Sequence, residues 1–168
     1  MNTATLYIFS GLPASGKTTL SKLLAKDIKA CYIRIDTIES ALCNLYNTEV
    51  ESEGYRLSYC IARDNLKLGV STIADSCNTV KITREEWEQS ATGAGACYKN
   101  IEICCSDLTE HKRRVESRKT DGVGGNGSRW LHIQKRYYEK WHKSVISIDT
   151  AGRSVPESYE ELKKKLAL

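Results

Sequence analysis

The hydrophobic pattern of the chain alternates between short apolar runs and longer stretches whose apolar residues share one helical face. The short runs predict strands at residues 6–9, 31–35, 70–74, 100–105 and 145–148. The longer stretches predict helices at residues 18–28, 37–45, 55–68, 84–91 and 159–166. Strands that alternate with helices in this way predict an α/β fold, in which helices cover both faces of a parallel sheet.

Two glycine-rich segments interrupt this pattern, at residues 90–96 and 121–127. The second, DGVGGNG, follows a basic helical stretch and cannot hold regular structure without a high entropic cost. We therefore predict a lid at about residues 109–129 that closes over a site, with a plain surface loop as the alternative. The next stretch, residues 129–143, is predicted to be a helix with a buried aromatic stripe, and Arg136 is its one candidate charge for the site.

The composition describes a globular protein, with 168 residues, 40% apolar and 27% charged, enough for one domain spanning residues 1–168. The net charge of +4 suits an anionic substrate without indicating nucleic acid, because basic and acidic residues are interspersed. Seven cysteines form no CxxC pair, and we interpret them as reduced, mostly buried side chains. With neither a secretion signal nor a membrane anchor at the start, the expected location is the cytoplasm.

The sequence GLPASGKT, residues 11–18, matches the phosphate-binding loop pattern GxxxxGK[ST] between a predicted strand and a predicted helix. Glycine lets the backbone turn its N–H groups toward a phosphate chain, and the helix N-terminus adds its dipole. Lys17 is expected to act on the β- and γ-phosphates, and Thr18 to ligate Mg²⁺. The predicted ligand is ATP or GTP with magnesium. The predicted nucleotide-binding residues of the loop are Gly11, Pro13, Ala14, Ser15, Gly16, Lys17, Thr18 and Thr19.

Two carboxylates end predicted strands, and the carboxyl ends of parallel strands face the ligand crevice. Asp36 is predicted to contact the acceptor and to accept the proton of its attacking hydroxyl. The alternative is an N-cap for the next helix. Asp75 ends an apolar strand, as in a Walker B segment, and is predicted to hold magnesium together with Thr18.

Several polar residues elsewhere suit an acceptor or a phosphate. Asn78 and Arg84 follow a strand end and are predicted to grip the acceptor, although Arg84 also suits the start of a helix. Arg114 and Arg118 share one helical face and are predicted to neutralise a transferring phosphoryl group, with a solvated basic helix as the alternative. Arg153 follows the last strand and is predicted to lie at the edge of the nucleoside-binding site.

The three histidines form no metal-ligand pattern and are interpreted as surface or capping residues.

These motifs resemble the small P-loop kinases of the nucleoside monophosphate kinase-like group, and within it the "predicted kinase" branch, the AAA_33-type ATP-binding family. The resemblance rests on GLPASGKTTL, RIDTIES, NLKLGVSTIADS, RRVESR and IDTAG. Relatives of that branch include chloramphenicol phosphotransferase, zeta toxins, adenylylsulfate kinase, and shikimate and gluconate kinases. The resemblance implies a five-stranded sheet in the order 2-3-1-4-5, ATP with magnesium as donor, Asp36 as base, and Arg114 and Arg118 as lid arginines.

One departure from these relatives separates the roles of the two carboxylates. Shikimate kinase-like members have Asp-x-Asp where this chain has Arg34 and Asp36, which leaves Asp36 for the acceptor and Asp75 for magnesium. The expected function is an ATP-dependent kinase that phosphorylates a hydroxyl of a small molecule, as a monomer or dimer away from membranes. The alternatives are a polynucleotide 5′-hydroxyl kinase, which would use the basic region 111–143, and a non-catalytic ATP-binding regulator or toxin–antitoxin component.

Overall fold

The computed structural model contains five parallel strands in the order β2-β3-β1-β4-β5. The strands are β1 (Thr5–Ser10), β2 (Cys31–Arg34), β3 (Thr72–Asp75), β4 (Cys97–Cys104) and β5 (Ile146–Asp149). The structure describes residues 3–47, 50–117 and 129–168. The α/β class predicted from the pattern and the strand order implied by the resemblance are both confirmed.

Helices flank the sheet, and those predicted from the pattern are present with shifted ends. The helices of the described ranges are α1 (Lys17–Asp27), α2 (Ile35–Tyr46), α3 (Glu53–Lys67), α4 (Lys81–Thr92), α5 (Leu108–Ser117), α6 (Arg129–Gln134) and α7 (Val155–Leu166). None of these described helices combines the length and apolar character needed to cross a membrane.

Two hydrophobic cores cover the two faces of the sheet. Side chains alternate along β1, so that Leu6 and Ile8 join one core and Tyr7 and Phe9 the other. The first core receives Tyr59, Ala62 and Leu66 from α3 and Trp87 and Ala91 from α4. The second receives Leu20 and Leu24 from α1 and Leu162 and Leu166 from α7. The loop after β1 therefore starts from a central strand that is packed on both faces.

The predicted helix over residues 129–143 is wrong beyond Gln134, where α6 ends. The chain then runs without helix or strand to β5, a stretch that we call the strap (residues 135–145). Two aromatic residues of the strap, Tyr138 and Trp141, donate hydrogen bonds to Glu102 Oε1 at 2.8 and 3.1 Å. Tyr138 and Trp141 are therefore held by these bonds to β4 and do not form the continuous aromatic face of a longer helix.

The predicted lid at about residues 109–129 lies partly outside the described residues. Its described beginning belongs to α5, and Arg118 falls in the part that is not described.

The cysteine prediction is wrong in one respect. Only Cys105 of the seven is buried, whereas Cys60 and Cys97 are exposed and the others are half-buried.

Candidate active site

The loop between β1 and α1 has the conformation that its glycines predict. Gly11 has a φ of +137° and Gly16 a φ of +103°, and both values lie in the left-handed region that favours glycine. A Cβ at Gly11 would lie 2.1 Å from the carbonyl oxygen of Ile103, so a larger residue does not fit. Ala14 also has a positive φ, of 62°, and turns the middle of the loop.

Side chains from distant parts of the chain hold two carbonyl groups of this loop. His111 Nε2 lies 2.8 Å from the carbonyl oxygen of Pro13, and Thr150 Oγ1 donates to that of Ser15 at 2.8 Å. His111 is buried and meets the ring of Trp130 edge to face, with the ring centres 5.3 Å apart, which corrects the predicted surface position. Because the first amides of a helix have no intrahelical acceptor, the N-terminus of α1 next to this loop is suited to an anion.

Lys17 begins α1 and is only 6% exposed. Its Nζ donates to the carbonyl oxygen of Leu12 at 2.9 Å, across the loop. A hydrogen bond between two charged groups is stronger than one to a neutral carbonyl. A phosphate chain in the loop would therefore replace Leu12 as the partner of the ammonium group.

Thr18 and Asp75 both line one large cavity next to the loop, as their predicted role in magnesium binding requires. Asp75 ends β3, is 3% exposed, and accepts a hydrogen bond from the Tyr32 hydroxyl at 2.6 Å through Oδ2. Burial of Tyr32, together with Asp75, raises the pKa of the tyrosine, so that it remains a donor. Hydroxyl and carboxylate oxygens are hard ligands of the kind that Mg²⁺ prefers, so this pair fits the ion.

Asp36 lies in the first turn of α2 and lines the cavity. The helix begins at Ile35, and its N-cap is Arg34, so the alternative role of Asp36 as N-cap is wrong. The guanidinium of Arg34 lies 3.0 Å from Asp36 Oδ2, and the aspartate side chain is 58% exposed. The carboxylate is thus oriented by an ion pair and remains accessible to an acceptor.

A cavity of about 870 Å³ joins the loop to the ends of β2 and β3. Its loop half is lined by Pro13, Ala14, Gly16, Lys17, Thr18, Thr19, Thr150, Arg114 and Arg153. Its other half, called the helix half because residues of α2 and α3 contribute to it, is lined by Asp36, Glu39, Glu51, Tyr55, Ser76, Cys77 and Arg136. The cavity therefore has room for a nucleotide and a second small molecule.

The helix half contains titratable groups that sequence reasoning did not assign to the site, among them Glu39 and Tyr55. Burial, and then the neighbouring Asp36, raises the pKa of Glu39, whereas Arg136 opposes this rise. Burial raises the pKa of Tyr55 to about 12. Arg136 reaches the cavity from the strap, with Nη1 3.8 Å from Cys77 Sγ. Arg136, the candidate charge of the predicted helix, thus lines the cavity although its segment is not helical.

Asn78 and Arg84, predicted to contact the acceptor, do not line the cavity. Asn78 is fully buried, and its Nδ2 donates to the carbonyl oxygen of Phe9 at 2.8 Å. Arg84 is 3% exposed, and its guanidinium donates to the carbonyl oxygens of Asn78 and Glu139 at 2.8 and 2.9 Å. The Nδ2 group of Asn78 and the guanidinium of Arg84 are thus occupied by backbone carbonyl groups, which corrects the predicted contacts.

Arg84 also packs against the strap. Its guanidinium carbon lies 4.1 Å from the ring centre of Trp141 and 5.0 Å from that of Tyr138. In addition, the strap's Glu139 amide donates to the carbonyl oxygen of Thr79 at 2.8 Å. These contacts fix the strap against the start of α4 and thereby support the position of Arg136 at the cavity.

Replacing Arg84 by methionine is expected to lower the free energy of unfolding by about 2–4 kcal/mol. The methionine keeps the apolar stem but leaves buried carbonyl groups without a donor. Arg63→Met, on the exposed side of α3, is the matched control and should change stability by less than about 0.5 kcal/mol. Urea unfolding of both variants measures the difference, and equal small effects would show that Arg84 does not anchor the strap.

Arg114 and Arg153 lie at the loop half, and both are paired with carboxylates. Arg114 contacts Glu110 at 2.8 Å and also donates to Thr150 Oγ1 at 2.8 Å and to its carbonyl oxygen at 2.9 Å. Since Thr150 in turn holds the phosphate loop, Arg114 is coupled to that loop through one residue. Arg153 forms an ion pair with Glu161 at the mouth of the cavity.

The sheet order, the loop between β1 and α1 and the polar strand ends define a P-loop protein with a kinase-like fold. The chain belongs to the AAA_33 family, an AAA domain family whose sequence model matches residues 6–139. No curated protein matches the sequence.

Solved structures share the fold over nearly the whole chain. The Mycobacterium tuberculosis APS kinase CysC in complex with AMPPNP and APS is 16% identical, covers 100% of both chains and has a TM-score of 0.74. A gluconokinase from Sinorhizobium meliloti 1021 is 13% identical, covers 99% of this chain and 94% of its own, and has a TM-score of 0.70. Chaetomium thermophilum Kti12 in complex with ADP-AlF3 is 19% identical, covers 96% of this chain and 97% of its own, and has a TM-score of 0.66. At these identities the likeness shows the fold.

Proposed function

We propose that the protein is an ATP-dependent phosphotransferase that moves the γ-phosphoryl group to a hydroxyl of a small molecule. The observation that carries this proposal is one cavity lined both by the phosphate loop with Lys17 and by the accessible carboxylate of Asp36. Structural neighbours named as an APS kinase and a gluconokinase support the same reaction type.

The loop half would hold the nucleotide. Amides from the loop and the first turn of α1 would bind the phosphates. The Lys17 ammonium group would give up its hydrogen bond to the Leu12 carbonyl and bind oxygens of the β- and γ-phosphates instead. Thr18 and Asp75 would hold Mg²⁺, which when bound neutralises charge between the two phosphates. Arg153 is proposed to border the nucleoside, with Glu161 setting the direction of its guanidinium.

Asp36 would act on the acceptor in the helix half. Its carboxylate accepts the proton as the acceptor oxygen attacks the γ-phosphorus, and the bond to the β–γ bridging oxygen breaks to release ADP. The ion pair with Arg34 holds the carboxylate in place before the acceptor binds. Arg114, Arg136 and Arg153 are the described arginines that line the cavity, and Arg118 remains a proposed lid arginine outside the described residues.

A screen for acceptor-stimulated ADP release tests this proposal. Hydroxyl compounds are presented with ATP and Mg²⁺ to the wild-type protein, with Lys17→Ala as the blank. We expect at least one compound class to raise ADP release about tenfold or more over water and to gain a phosphate by mass spectrometry. ATP binding without any acceptor-dependent release would instead favour a nucleotide-binding regulator.

A further inference from the structure

The histidine of α5 contacts the phosphate loop from the side opposite the cavity. His111 Nε2 lies 2.8 Å from the carbonyl oxygen of Pro13. Because a carbonyl oxygen can only accept a hydrogen bond, Nε2 carries the hydrogen and donates it. Pro13 lines the cavity, whereas His111 is not among the described residues that line it. The imidazole therefore holds the Pro13 carbonyl group turned away from the cavity.

The same hydrogen bond sets the direction of the next amide group. A trans peptide is planar, and its C=O and N–H groups point to opposite sides. Since the Pro13 carbonyl points to α5, the Ala14 N–H points the other way, to the cavity that Ala14 lines. This N–H donates to no backbone carbonyl group in the described ranges. It is therefore available to a ligand in the loop.

Contacts on α5 and α6 hold the imidazole in this position. At the start of α5, Asp107 Oδ1 accepts hydrogen bonds from the amides of Thr109 and Glu110 at 2.8 and 3.0 Å. The ring of Trp130 packs edge to face against the imidazole, and His111 is only 3% exposed. The donor is thus fixed by its surroundings before any ligand binds.

A second carbonyl group of the loop is held from the same helix. Arg114, about one turn after His111, donates to Thr150 Oγ1 at 2.8 Å. Thr150 Oγ1 in turn donates to the carbonyl oxygen of Ser15 at 2.8 Å. By the same peptide geometry, the N–H of Gly16 points away from Thr150. The helix α5 therefore supports two peptide groups of the loop, one directly and one through Thr150.

We propose that His111 is a positioning residue for nucleotide binding, which directs the Ala14 amide at the phosphate chain by donating to the Pro13 carbonyl. This inference rests on the proposed function, since it requires a nucleotide in the loop. An N–H group that already points at the site of an anion needs no reorganisation when the anion binds. Without the imidazole N–H, the peptide group between Pro13 and Ala14 loses the bond that fixes its direction.

Two replacements of His111 test the proposal by calorimetric titration with ATP and Mg²⁺. His111→Phe keeps an aromatic ring that packs against Trp130 but has no N–H, and it is expected to raise the Kd about tenfold or more. His111→Gln restores a side-chain N–H donor and should stay within about threefold of wild type. His132→Phe, at an exposed position of α6, is the matched control and should bind ATP as the wild type does.

Thermal unfolding of each variant separates binding from stability, because a histidine with a purely structural role would lower stability without changing the Kd of the folded protein. A folded His111→Phe protein that binds ATP as tightly as wild type would refute the role of His111. So would a His111→Gln protein that binds as weakly as His111→Phe. If His111→Phe does not fold, nitrogen NMR of the wild-type imidazole decides: a hydrogen on Nε2 supports the bond to Pro13, and an Nε2 without hydrogen refutes it.

The same titrations distinguish failure of this proposal from failure of the kinase proposal. If the wild-type protein does not bind ATP, the assignment of the loop fails, and both proposals fail with it. If ATP binds equally to wild type and to folded His111→Phe, only the role of His111 is refuted. If binding depends on His111 but no hydroxyl compound gains a phosphate, the phosphotransferase proposal fails while the role of His111 stands.

Discussion

Replacing Lys17 by alanine is expected to lower ATP-dependent turnover by about a hundred- to a thousandfold. The lysine is buried at the loop, and its hydrogen-bond partner among the described residues is the Leu12 carbonyl, so its charge is available to the phosphates. Loss of that charge removes stabilisation of the negative charge on the transferring group. Steady-state ADP release, with thermal unfolding to verify the fold, measures the effect.

The matched control is Lys22→Ala, an exposed lysine of the same helix. It should leave turnover within about twofold of wild type and unfolding within about 0.5 kcal/mol. A Lys17→Ala protein that is folded and as active as the Lys22→Ala protein would show that the loop does not bind the reacting phosphate.

Replacing Asp36 by asparagine is expected to reduce phosphoryl transfer by about 10²- to 10⁴-fold while ATP affinity stays within about twofold. Asparagine has nearly the same shape but cannot take the hydroxyl proton. Because Asp36 is in the helix half and the nucleotide is assigned to the loop half, binding and transfer should separate. Transfer is measured by phosphorylated product and affinity by calorimetry.

Asp64→Asn, at an exposed position of α3, controls for the loss of one negative charge. It should change neither quantity. If Asp36→Asn forms product as fast as Asp64→Asn does, Asp36 is not the base. A parallel loss of ATP affinity would instead assign Asp36 to the nucleotide.

The parts of the fold that were predictable depend on local chemistry. Short apolar runs bounded by polar segments indicated the buried strands, and the spacing of Gly11, Gly16 and Lys17 indicated a loop whose positive φ values the structure contains. The strand ends then brought Asp36 and Asp75 to one cavity, as parallel topology requires. These features are set by residues close together in sequence.

The parts that were not predictable depend on contacts between distant residues. The strap departs from the predicted helix because Arg84 and Glu102 bind its aromatic side chains. Nothing in the sequence near the strap indicates that these two distant residues contact it. The same applies to His111, whose role depends on a carbonyl group of the phosphate loop. Glu39 therefore became a candidate site residue only when the cavity was known.

Calorimetric titration of ATP with Mg²⁺ into the wild-type protein tests the central claim most directly, which is that residues 11–18 enclose a polyphosphate. We predict saturable binding with a Kd between about 1 μM and 1 mM, weakened at least about tenfold in Lys17→Ala. No binding of ATP or GTP to the folded wild-type protein, or equal binding to the wild-type and Lys17→Ala proteins, would contradict the assignment of this loop.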